Sequence, residues 1–231
     1  MSEQEKPRQE SHPECATGQD LGHLRRRYLQ GGLDEDNTDV DPMRQFETWF
    51  AQAQEAELLE PNAMVLATVN EAGMPTTRTV LLKKFDHGFV FFTNYGSQKA
   101  KDMARNDQVA LHFNWLPLER QVKIQGRAEK IPTKESMSYF TSRPEGSQLG
   151  AWVSAQSEVI SSKEVLLSEF ARLKDKFKRG KIPFPDFWGG YRVVPEVMEF
   201  WQGGDNRLHD RIEYRRDPKN DQAWLKQRLA P

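Results

Sequence analysis

The apolar positions of the chain change period twice, and those changes divide it into an arm, a helix and a run of strands. Residues 1–40 hold no Phe or Trp and few aliphatic side chains. Such a segment cannot bury enough apolar area to offset its chain entropy, so a largely disordered N-terminal arm is expected there, with the folded domain over 41–231. Asp41-Pro42 reads as a cap and a first helical residue. Phe46, Trp49, Phe50 and Ala53 then recur at helical spacing until Pro61 ends the pattern.

From Ala63 the residues become β-branched and apolar, and tight turns separate them. Strands are expected over Ala63–Val69, Thr76–Lys84, Phe89–Thr93, Gln108–Trp115, Arg120–Lys130, Gly190–Gln202 and Arg207–Arg215. Short helices are expected after Ser97 and from Thr133 to Thr141. A longer one opens at the capping box Ser161-Ser162-Lys163-Glu164, with Leu166, Phe170, Leu173 and Phe177 on its apolar face and Gly180 as its stop. Consecutive strands joined by tight turns predict a mainly β fold with peripheral helices (α+β), its antiparallel sheet closed into a barrel. A doubly wound sheet would need a helix after nearly every strand, and no G-x-G-x-x-G joins a strand to a helix.

Composition narrows the function classes without choosing one. The 231 residues carry a formal net charge of −1, which gives no basic excess for general nucleic-acid binding. With one cysteine, Cys15, the chain forms no internal disulfide, and a reducing cytoplasm is the expected compartment. No apolar run is long enough for a membrane span. The five histidines lie too far apart in sequence for metal-ligand spacing, so no metal is expected.

Candidate chemistry lies in clusters of basic residues. Arg207, His209 and Arg211 would share one face of an extended strand, where an anion, or simply solvent, would relieve their repulsion. Arg78 and Lys83 sit in an apolar strand, but strict alternation puts them on opposite faces. Both can serve one site only through a bulge or two adjoining pockets. Lys99 stands in the first turn of a helix, where it opposes the dipole and an anion would compensate. Tyr139, Arg143 and Ser147 surround a helix end and could bond a phosphate together. His23-Leu24-Arg25-Arg26-Arg27-Tyr28 is either a solvated helical stub or an arm that closes over a phosphate ligand.

Nine motifs in order, from about His23 to Pro231, resemble the pyridoxamine 5′-phosphate oxidase family: HLRRRY, R-T-V-L-L-K, F-T-N-Y-G-S-Q-K, E-R-Q-V, Y-F-T-S-R-P, S-Q-L-G-A-W-V-S-A-Q-S, F-W-G-G-Y-R, E-F-W-Q-G-G-D-N-R-L-H-D-R and R-L-A-P. The resemblance implies a homodimeric split β-barrel with two FMN sites at the subunit interface. It also implies oxidation of pyridoxamine 5′-phosphate and pyridoxine 5′-phosphate by O₂. FMN contacts would fall to Arg78, Val80, Leu81, Phe92, Thr93, Gln98, Lys99, Gln121, Gln156, Ser157, Trp201 and Arg211. Lys83, Tyr139, Arg143 and Ser147 would hold the substrate phosphate. Arg207, Leu208 and His209 would lie over the substrate ring, with Arg207 and His209 catalytic, and Arg25, Arg26, Arg27 and Tyr28 would cover it. Two positions depart from the family pattern: Phe92 stands where many members have Tyr, and Gln98 where many have Arg. A lost arginine at the flavin phosphate removes a bond worth roughly 1.5–3 kcal/mol and implies weaker flavin retention. A flavin reductase on the same barrel, or a non-catalytic carrier of pyridoxal phosphate, would share many of these residues.

Overall fold

The structure, a computed structural model, describes residues 32–178 and 180–231. Helix α1 spans Pro42–Glu55. Its first turn is fixed by Asp41, whose carboxylate accepts from the Met43 N–H at 2.9 Å, and by Pro42 at the first helical position. Phe46, Trp49 and Ala53 form its buried face. The Phe46 ring sits 4.9 Å from Phe89 and 5.0 Å from Phe113, edge-on and tilted, so the helix plugs the barrel with aromatic contacts.

Nine strands form one antiparallel sheet: β1 (Ala63–Val69), β2 (Pro75–Leu81), β3 (Lys84–Phe85), β4 (Phe89–Asn94), β5 (Gln108–Trp115), β6 (Arg120–Lys130), β7 (Trp188–Gln202), β8 (Asp210–Asp217) and β9 (Asn220–Arg228). Their order is β2-β1-β5-β6-β7-β4-β3, with β8 on β7 and β9 on β8. Strand β7 forks the sheet. Its first half pairs with β4, its second half with β8, and β6 runs along both, shifting register at Gln125/Gly126. Inward positions Leu66, Phe91, Leu111, Phe113, Val122, Ile124 and Phe200 alternate with outward ones and fill the interior, as a half-buried sheet requires. Helix α2 (Gln98–Arg105) follows β4. Helices α3 (Thr133–Ser142), α4 (Glu145–Val153) and α5 (Lys163–Phe177) share a second, smaller core of Phe140, Leu149, Leu173, Ile182 and Trp188.

Several boundaries differ from the sequence reading. The second strand ends at Leu81, three residues early, because Leu82 turns inward to 4% exposure and its N–H leaves the ladder for the Asn62 carbonyl. The last predicted strand starts at Asp210 rather than Arg207, after a tight turn in which Asn206 (φ 54°) and Arg207 (φ 65°) are left-handed. Helix α4 and strand β9 were not anticipated. Helix α5 is capped one residue later than the capping box places it, at Ser162, whose hydroxyl makes no capping bond. Of the expected arm, residues 32–40 lie on the body: Leu33 and Thr38 are buried, and the Tyr214 hydroxyl donates to the Asp39 carbonyl at 2.7 Å.

Candidate functional site

A cavity of about 620 Å³ opens between β2, β4 and the α3–α4 pair, a size suited to a small-molecule ligand. Strand β2 contributes Arg78, Val80 and Leu81, and β4 contributes Phe92 and Thr93. Lys99 enters from α2, Tyr139 from α3, Ser147 from α4, and Gln156 from the segment after α4. Lys83 lines it too, which settles the question of faces. The strand stops at Leu81, alternation stops with it, and Arg78 and Lys83 meet one space from two sides. Eleven of the residues named from sequence are thereby brought together.

The cavity is strongly cationic. Arg78, Lys83, Lys99 and Arg143 line it, and among the described lining residues none is acidic. Arg78 is anchored by bonds of 2.7 Å to the hydroxyls of Thr68 and Thr76, with Asp102 at 3.9 Å. Burial pulls its guanidinium below the usual value, and Asp102 opposes that shift. Lys99 donates to Gln156 Oε1 at 2.7 Å and to Thr93 Oγ1 at 3.3 Å. Burial first, and the Arg78 charge second, lower its ammonium to about 8. Burial likewise lowers Arg143, whose Nη1 is buried with no hydrogen-bond partner. A buried, unpaired guanidinium nitrogen costs free energy that an anion would recover.

Flat apolar surface lies beside these charges. Phe92 stacks on Tyr139 at 4.0 Å and on Trp188 at 5.2 Å, and the Arg143 guanidinium lies 4.7 Å above the Trp188 ring. Cations next to stacked rings suit a phosphorylated aromatic molecule. Gln98 and Ser157 stand outside the lining but close to it: the Gln98 N–H at the start of α2 donates to Ser157 Oγ at 3.2 Å. Ser97 occupies the cap position, yet its hydroxyl makes no capping bond there. The Gln98 side-chain amide, at the position where many members of the resembled family have Arg, donates to Asp102 Oδ1 at 2.8 Å.

A second group lies elsewhere on the protomer. Gln121, Trp201, Arg207, Leu208, His209 and Arg211 do not line the cavity. Trp188, at the cavity wall, is the first residue of β7 and Trp201 is the penultimate one, roughly 40 Å along a straight strand. Gln121 faces Trp201 across the β6–β7 ladder, and Trp201 faces Arg211 across β7–β8. Arg211 Nε donates to Glu199 at 2.9 Å, and Lys123 reaches the other oxygen of that carboxylate. Burial would raise the Glu199 carboxyl, but these two bonds outweigh it and hold the group below the ordinary range. The predicted shared face of Arg207, His209 and Arg211 is not formed, because Arg207 sits in the turn before β8. His209 is held instead by its ring, 4.6 Å from Trp201, and by Nδ1, which accepts from the Gly204 N–H at 3.1 Å. That bond puts the proton of a neutral ring on Nε2. Arg25, Arg26, Arg27 and Tyr28 lie outside the described residues.

Sequence reasoning missed Trp188, Gly150, Ala151 and Ser154 in the cavity wall and Glu199 behind Arg211. A signal existed for Gly150 and Ala151. Pro144-Glu145 followed by Leu149 and Trp152 is a helix start with apolar spacing, and finding α4 would have placed its small residues on the wall.

Two family models match the chain. The family model described as pyridoxamine 5′-phosphate oxidase matches residues 50–177. The one described as pyridoxine 5′-phosphate oxidase C-terminal dimerisation region matches residues 188–231. The chain is 70% identical to the pyridoxine/pyridoxamine 5′-phosphate oxidase 2 of Hydrogenovibrio crunogenus, over 91% of this chain and 98% of that protein. It is 59% identical to the pyridoxine/pyridoxamine 5′-phosphate oxidase of Rippkaea orientalis, over 92% of this chain and all of that one. Among solved structures, PhzG from Burkholderia lata, in complex with tetrahydrophenazine-1-carboxylic acid, aligns with a TM-score of 0.81 and 27% identity, covering 87% of this chain and 99% of that one. An FMN-binding protein related to pyridoxamine 5′-phosphate oxidase, from Nostoc punctiforme, shares the fold at a TM-score of 0.67 and 15% identity, covering 84% of this chain and all of its own.

Proposed function

Since the chain belongs to the pyridoxamine 5′-phosphate oxidase family, we propose that it oxidises pyridoxamine 5′-phosphate and pyridoxine 5′-phosphate to pyridoxal 5′-phosphate with FMN as cofactor. For the amine, substrate, O₂ and H₂O give the aldehyde, ammonia and H₂O₂; for the alcohol, substrate and O₂ give the aldehyde and H₂O₂. The observation that carries this reading is the cavity itself, with four cations and no acidic residue among its described lining, and a stack of three rings.

The residues present fit FMN. Arg78 and Lys99 supply a phosphate with fork-shaped and point donors, and Thr93 and Gln156 add neutral polar partners. When bound, FMN would supply the two-electron redox chemistry that links substrate oxidation to O₂. The rest of the work is positioning. Lys83, Tyr139, Arg143 and Ser147 hold the substrate phosphate, with the buried Arg143 Nη1, which has no hydrogen-bond partner, as one of its donors. Arg207, Leu208 and His209 orient the substrate ring, and His209 offers Nε2–H as a donor beside it. The left-handed backbone at Asn206 and Arg207 is strain of the kind held at ligand sites.

A homodimer completes each site in this reading. Gln121, Trp201, Arg207, His209 and Arg211 come from the partner subunit, because on one protomer β7 holds them away from the cavity. The matched dimerisation region supports the same assembly. The test is direct: purified protein is examined for a yellow flavin band and supplied with pyridoxamine 5′-phosphate under air. Aldehyde and peroxide formed in equal amounts are expected. A yellow protein that turns over only a nicotinamide would be a flavin reductase, and a colourless one that binds the aldehyde would be a carrier; either overturns the proposal.

A further inference from the structure

Two chain segments converge on the start of β8. Arg228, the last residue of β9, donates to both carboxylate oxygens of Glu35 at 2.8 Å, to the Leu33 carbonyl at 2.9 Å and to Asp210 Oδ1 at 2.5 Å. The other oxygen of Asp210 accepts from the Leu33 N–H at 3.0 Å. One residue further, the Arg211 carbonyl accepts from the Leu229 N–H at 2.9 Å, and Arg211 Nη1 donates to the Ala230 carbonyl at 2.8 Å. The pair Asp210-Arg211 is therefore held by residue 33 on one side and residues 228–230 on the other.

The geometry exceeds what stability would ask of it. The Arg228 and Glu35 side chains are 36% and 42% exposed, and ion pairs that wet contribute little to folding. Their directionality matters more. A guanidinium is planar, so fixing Arg211 at Nε through Glu199 and at Nη1 through Ala230 also fixes where its remaining edge points.

We infer that residues 228–230 are a positioning brace for Arg211, setting the direction from which it meets the flavin. The inference rests on the reading of Arg211 as an FMN contact given above. Arg228, Leu229 and Ala230 touch neither ligand in this scheme; they act through Arg211 and Asp210.

The experiment titrates apoprotein with FMN by flavin fluorescence, alongside unfolding temperature without FMN and kcat at saturating FMN. A form ending at Leu229, which loses the Ala230 carbonyl, should raise the FMN Kd by about tenfold, as expected for one charge-assisted bond. Arg228→Ala should shift it in the same direction. Saturating FMN should restore kcat in both, and the unfolding temperature should stay near that of the wild type. An FMN Kd within about twofold of wild type in both variants would overturn the brace, since a bond to a charged group is worth more than that. Should the shortened form not fold, Arg228→Gln decides alone on the same criterion. A wild-type protein that takes up no FMN would instead overturn the reading of the cavity, and the brace with it.

Discussion

Lys99 carries its charge where burial works against it, and this makes its titration a probe of the site. Phosphate binds the ammonium form, and the pKa is lowered to about 8. The affinity of the apoprotein for FMN should therefore fall as pH rises above 8, by at most about tenfold per unit. Stability runs the other way. The folded pKa lies below the ordinary lysine value of 10.5, so between about 8 and 10.5 the unfolded chain binds the extra proton. The contribution of Lys99 to stability thus rises with pH through that window. Lys99→Met should flatten both slopes; fluorescence titrations and urea midpoints at several pH values that match the wild type would sink the assignment. Arg143 tests the other phosphate. Arg143→Ala should raise the KM for pyridoxamine 5′-phosphate roughly 10- to 100-fold while moving kcat little, as expected for uniform binding. Because Nη1 is already unpaired, the unliganded variant should be no less stable in urea, the relieved desolvation offsetting the lost stacking on Trp188.

At the scale of elements, the turn between β7 and β8 decides where Arg207 and His209 stand. A Cβ on Gly204 would lie 2.1 Å from the Leu208 carbonyl oxygen, a backbone atom that cannot swing aside. Gly204→Ala should displace residues 205–209 and lower kcat/KM by about 100-fold, the cost of misplacing an orienting group by about an ångström. FMN binding should change far less, because Arg211 is held separately by Glu199 and Ala230; a steady-state assay paired with a flavin titration separates the two. This turn is also where sequence reasoning failed. Apolar, β-branched runs bounded by turns placed β1, β4, β5 and β6 within a residue of their observed bounds, and alternation is a guide only inside a strand. It says nothing about where a strand stops. Leu82 leaves the ladder because burial of its side chain outweighs one more pair of bonds, and Asn206 and Arg207 adopt left-handed backbone that no residue pattern announces. Residue types chosen for phosphate chemistry stayed legible where geometry did not: Arg78, Lys83, Lys99, Tyr139, Arg143 and Ser147 line one cavity, joined by five residues that only the family resemblance named, although helix α4 on its wall went unread.

At the scale of the molecule, β7 is the element that separates the cavity from the group around Arg211. Its 15 residues pair with β4 beside the cavity at one end and with β8 beside Arg211 at the other. In the proposed reading, two copies face each other and each lends the end that the other lacks. Complementation follows from this. Arg78→Ala damages the cavity half and Arg211→Ala the β8 half, and each purified variant should be nearly inactive. When the two are unfolded together, refolded at equal amounts and supplied with FMN, random pairing makes half of the dimers mixed. A mixed dimer carries both lesions in one site and none in the other, so about a quarter of wild-type activity should return if sites are shared across a two-fold interface. If each site were built from a single chain, every site would keep one lesion and mixing would restore nothing. The readout is peroxide release, with gel filtration reporting whether mixed dimers formed; dimers without recovered activity would place both half-sites on one chain.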